Sequence, residues 1–68
     1  MNDEAFNLSI RKFLKQFGVS AQRVIERSVE DAVKAGALKG TESFQARAVL
    51  HVDALGIQET IEAEITLS

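Results

Sequence analysis

The chain contains no cysteine, no proline, no tryptophan and no tyrosine. Without cysteine it has neither a disulfide framework nor a thiolate metal site. Without proline, and with only 4 glycines in 68 residues, it is no collagen-like or proline-rich extended chain. Aromatic residues make up 6% and all are Phe. Neither charge sign dominates: 8 Lys and Arg stand against 10 Asp and Glu, for a net charge of −2. Combined with 46% hydrophobic residues, that balance excludes a wholly disordered chain. No apolar run approaches the roughly 18–20 residues needed to span a bilayer, and no signal-like apolar segment follows the N-terminus. The expectation is a soluble cytoplasmic protein without a membrane role.

A chain of this length suits one domain, residues 1–68, and buries only about 60% of its unfolded surface. Such a domain needs support beyond an ordinary core, and idealised helix packing or self-association are the routes left open here. Deep ligand pockets run to roughly 300–1,000 Å³, which a small core leaves little room for. No cofactor and no small-molecule substrate are expected.

The hydrophobic pattern divides the chain. Phe6, Ile10, Phe13, Leu14 and Phe17 recur at helical spacing, with Asn2 or Asp3 as a cap and Asp3 and Glu4 at the positive end of the helix dipole. This predicts a first helix over about residues 3–17, stopped by Gly18. Ser20 then reads as the cap of a second helix, about residues 21–35, with Val24, Ile25, Val29, Ala32 and Val33 on its buried face and Gly36 at its end. From Phe44 the period changes to 2, predicting strands over about residues 43–52 and 58–67 joined by a turn at Asp53–Ile57. The alternation favours pairing Leu50 with Ile61, Ala48 with Ala63 and Phe44 with Leu67, which sets Arg47 opposite Glu64. The expected fold is α+β: two N-terminal helices packed on a C-terminal antiparallel β-hairpin, with Phe6, Phe13 and Phe17 in the core.

Charge is unevenly placed. Residues 1–39 carry a net +2 and residues 40–68 a net −4. Long, proline-free, alternating strands offer edges that accept another strand. The first functional reading is therefore a non-enzymatic module that binds itself, as a homodimer, or another protein through its hairpin. Arg47, Val49, His51 and Glu62 are the candidate contact residues. The second reading treats Gly18-Val19-Ser20 as the corner of a helix-turn-helix with the hairpin as a wing. Gln22, Arg23 and Glu26 would then reach base edges and Lys12 and Lys15 phosphates, with Arg27 as a further nucleic-acid contact. Leu14 stands where that motif wants a small residue and Arg27 where it wants an apolar one. The sequence pI of about 5.2 also argues against nucleic acid.

No catalytic constellation is legible. His51 is the only histidine, with Asp53 two residues on, but an open hairpin gives that pair no enclosing pocket. Glu62 and Glu64 share a strand face and lack the further oxygen ligands that a hard cation needs. Gly36, Gly40 and Gly56 are dispersed turn formers and make no phosphate loop. The reading is no enzyme and no metal site.

The stretch Met1-Asn2, Phe6-Asn7, Ser9-Ile10-Arg11-Lys12-Phe13-Leu14-Lys15, Gly18-Val19, Gln22-Arg23, Ile25-Glu26, then Gly36, Leu38 and Gly40, resembles a short bacterial family, mainly proteobacterial, known only as a domain of unknown function. The resemblance covers roughly the first forty residues; the hairpin shares mainly the alternation. It implies a stand-alone bacterial protein of about this length and carries no activity, cofactor or catalytic residue.

Overall fold

The computed structural model describes all residues, 1–68, in the order α1 (Asp3–Lys34), β1 (Ser43–Val52), a 3-10 turn (Asp53–Leu55) and β2 (Ile57–Thr66). These form two compact units, Met1–Ala37 and Leu38–Ser68.

The first unit is one continuous helix of 32 residues, where the sequence reading expected two. At 1.5 Å per residue it is about 48 Å long. Asn2 is its cap: the side-chain Oδ1 accepts the Ala5 N–H at 3.0 Å. Gly18, Val19 and Ser20, expected to form a corner, are helical, and Gly18 does not take the left-handed conformation. The physical reason lies in the phase of the apolar stripe. Phe6, Ile10, Phe13, Leu14 and Phe17 are followed by Ala21, Val24, Ile25 and Ala32 on the same side of the helix. An interior glycine costs about 1 kcal/mol, and propagating a formed helix through it is easier than paying a second nucleation. The real end is at Gly36, with φ 80°. There the Gly36 N–H donates to the Val33 carbonyl at 3.1 Å and the Ala37 N–H to the Ala32 carbonyl at 2.9 Å. This is the Schellman closure that a left-handed glycine permits.

The second unit is a two-stranded antiparallel sheet. The strand limits agree with the pattern reading to within a residue. The register does not: Val52 pairs with Ile57, Leu50 with Glu59, Ala48 with Ile61, Ala46 with Ala63 and Phe44 with Ile65. The second strand is thus displaced by two residues from the expected pairing. A tighter loop causes this, since the Gly56 N–H donates to the Asp53 carbonyl at 3.1 Å and β2 starts at once. A shift of two keeps every side chain on its face, because the strand period is two. Phe44, Ala46, Ala48, Leu50 and Val52 line the more sheltered side of β1, alternating with exposed residues.

No side chain in either unit is buried. Phe6, Phe13 and Phe17, expected in a core, are 50%, 51% and 50% exposed. Each unit is a single layer, and an amphipathic element needs a second layer to cover its apolar side.

Candidate interaction surfaces

Odd-numbered side chains of β1 and even-numbered ones of β2 share the outer face of the hairpin. Arg47 pairs with Glu62, Val49 with Thr60 and His51 with Gln58. All four residues singled out from the sequence, Arg47, Val49, His51 and Glu62, therefore lie on one face. Arg47 Nε donates to Glu62 Oε1 at 3.0 Å. The expected partner, Glu64, instead sits opposite Gln45, a consequence of the two-residue register change. This ion pair is well exposed on both sides, so it orients the two side chains while adding at most about 1 kcal/mol to stability. Val49 is 47% exposed and gives the face an apolar centre beside that pair.

On the opposite face, Phe44, Ala46, Ala48, Leu50 and Val52 meet Ile65, Ala63, Ile61, Glu59 and Ile57 across the strands. Glu59 is the one charged residue there. Ala46 and Ala63 are direct partners, so the face is low beside Phe44 and Ile65, while Ile61 stands opposite Ala48 at its centre and is 59% exposed.

The segment joining the units is organised by Glu42, which the sequence reading passed over. Its carboxylate accepts the N–H of Lys39 at 2.8 Å, of Gly40 at 2.9 Å and of Thr41 at 3.1 Å. These backbone donors, Lys39 first, hold its pKa below the ordinary value of 4.5. The Glu42 carbonyl also accepts the Leu67 N–H at 2.9 Å, closing the open end of the hairpin. A glutamate two residues after a loop glycine was the available signal.

The nucleic-acid candidates Lys12, Lys15, Gln22, Arg23 and Arg27 all lie on α1. No second helix exists to present Gln22 and Arg23 from a corner, so the helix-turn-helix geometry is not formed. Gln22 is engaged along the helix, donating to Glu26 Oε1 at 2.7 Å. Lys12, Lys15 and Arg23 project away from the Phe stripe, as the 100° advance per residue requires, whereas Arg27 falls beside it.

The remaining chemistry is sparse. No group of three His, Asp or Glu side chains is gathered to hold a metal ion. Asp53 begins the 3-10 turn, so the strand that would have set it beside His51 on one face ends before it. No helix of the chain is long and apolar enough to cross a membrane.

The model of a family of unknown function, DUF6494, matches residues 1–68, so the likeness extends through the hairpin and not only over the first forty residues. No curated protein and no solved structure matches the chain.

Proposed function

The chain belongs to DUF6494, a family of unknown function, along its whole length; from that premise we propose that it is a non-enzymatic protein-interaction module that self-associates through its β-hairpin. The observation that carries this reading is the hairpin itself: ten residue pairs, an apolar face, and no buried side chain. An isolated two-stranded hairpin is marginal in water, and stability requires further strands or a helix against its apolar side. Both outer edges carry rows of main-chain N–H and C=O groups that a second strand satisfies. Strand addition would draw affinity from those bonds and specificity from Arg47, Val49, His51 and Glu62.

Sedimentation velocity over a wide concentration range tests the reading. The expected result is a monomer–dimer equilibrium, with Val49→Lys weakening dimerisation about tenfold, the effect of a lysine set against a pairing edge. A folded monomer at every concentration overturns it.

A further inference from the structure

We propose that the open edge of β1 pairs antiparallel with the same edge of a second copy, about a two-fold axis through Ala48, to make a four-stranded sheet with the β2 strands outside. This rests on the self-association reading above and says which edge and which register carry it.

The edge is chosen by charge. β2 holds Glu59, Glu62 and Glu64 and no base, so β2 against β2 brings three glutamates from each copy onto adjacent strands with no counter-charge between them. β1 holds one charged residue, Arg47, and its guanidinium is turned toward Glu62 of its own hairpin. β1 of one copy against β2 of the next is compatible in charge, but it is a head-to-tail contact that leaves a free edge at either end and propagates without closing. Pairing β1 with β1 closes a dimer. It leaves only the β2 edges open, and charged side chains on an edge discourage further pairing.

The register is chosen by the backbone. The Leu67 N–H donates to the Glu42 carbonyl, which makes those two residues a directly bonded pair. Bonded and non-bonded pairs alternate along an antiparallel ladder. Even-numbered residues of β1 therefore turn their N–H and C=O groups to β2, and Gln45, Arg47, Val49 and His51 turn theirs to the open edge. A second β1 must match odd residues with odd, which also keeps both apolar faces on one side. Centring on Ala48 pairs Phe44 with Val52, Ala46 with Leu50, Gln45 with His51 and Arg47 with Val49, for about eight main-chain hydrogen bonds. A shift of two residues one way sets Arg47 directly opposite Arg47, which like charges disfavour. The opposite shift carries Phe44 and Gln45 past the end of the partner strand.

Amide hydrogen exchange on the wild-type chain tests the edge, at concentrations where sedimentation shows dimer. The amides of Gln45, Arg47, Val49 and His51 are expected to exchange about tenfold or more slowly than in the diluted monomer. Those of Gln58, Thr60, Glu62 and Glu64, on the β2 edge, are expected to stay unchanged. Disulfide trapping tests the register, and the lack of natural cysteine makes each introduced thiol the only one. Ala48 faces its copy across a non-bonded pair, with Cα atoms about 4.5 Å apart, inside the range a disulfide spans. Ile61 is the partner of Ala48 within the hairpin, on the same face but the other edge. Ala48→Cys should oxidise to a covalent dimer several-fold faster than Ile61→Cys. Ala46→Cys mixed with Leu50→Cys repeats the measurement should Ala48→Cys loosen the assembly. A dimer that protects the β2 amides, or neither set, or that cross-links Ile61→Cys as fast, overturns this inference while self-association stands. A wild-type chain that stays monomeric at every concentration removes the self-association reading as well.

Discussion

Glu42 gathers three consecutive N–H groups onto one carboxylate, and its pKa is lowered as a result, chiefly by the Lys39 N–H. Because the folded pKa lies below the unfolded one, the clasp contributes above the ordinary value of 4.5 and is lost as pH falls through the lowered folded value. The amide resonances of Lys39, Gly40 and Thr41 should therefore titrate together with a midpoint below 4.5, and Glu42→Gln should abolish that titration; amide shifts followed by NMR from pH 6 to 2 would show both. Gly36 makes a second claim at this scale. Its φ of 80° is costly for any residue with a Cβ, so Gly36→Ala should destabilise the end of α1 by about 1 kcal/mol, seen as reduced amide-exchange protection near Val33. Both glycines flanking the expected second helix read alike in the sequence as stops. Only Gly36 is one, because no periodic residue follows it in phase.

For α1 the informative signal was the phase of the stripe across residues 18–20, not the three residues themselves. A glycine followed by a good capping serine satisfies the rules for a corner, yet Ala21, Val24 and Ile25 continue the face begun by Phe6. Helix propagation over that face outweighs the local cost. Gly18→Ala is therefore expected to stabilise the helix by about 1 kcal/mol, since an added Cβ at Gly18 meets nothing within 4 Å. A rise in helical circular dichroism and in melting midpoint would bear this out; a loss would indicate a real bend. The strands were legible because alternation over ten residues leaves little choice. Their register was not, because slips of two preserve both faces, and the loop closed by Gly56 made the choice. The face shared by Arg47, Val49, His51 and Glu62 survived that slip for the same reason, with only the partner of Arg47 changed.

At the scale of the whole molecule, no side chain reaches a buried environment. Composition showed that so short a chain would be marginal; it could not show that the expected core residues would stay half exposed. If a second copy completes the sheet, folding is linked to concentration by mass action. The thermal midpoint should rise steadily with protein concentration over two decades, and a midpoint that stays fixed would count against the dimer. The glutamate clasp has a further consequence, for proteolysis. Lys39 is the one basic residue between the end of α1 and the start of β1, so trypsin separates the helix from the hairpin at the Lys39–Gly40 bond. The nitrogen of that bond donates to Glu42, and the protease must first pull it free. The susceptibility of the joint to cutting is thus set by a single carboxylate.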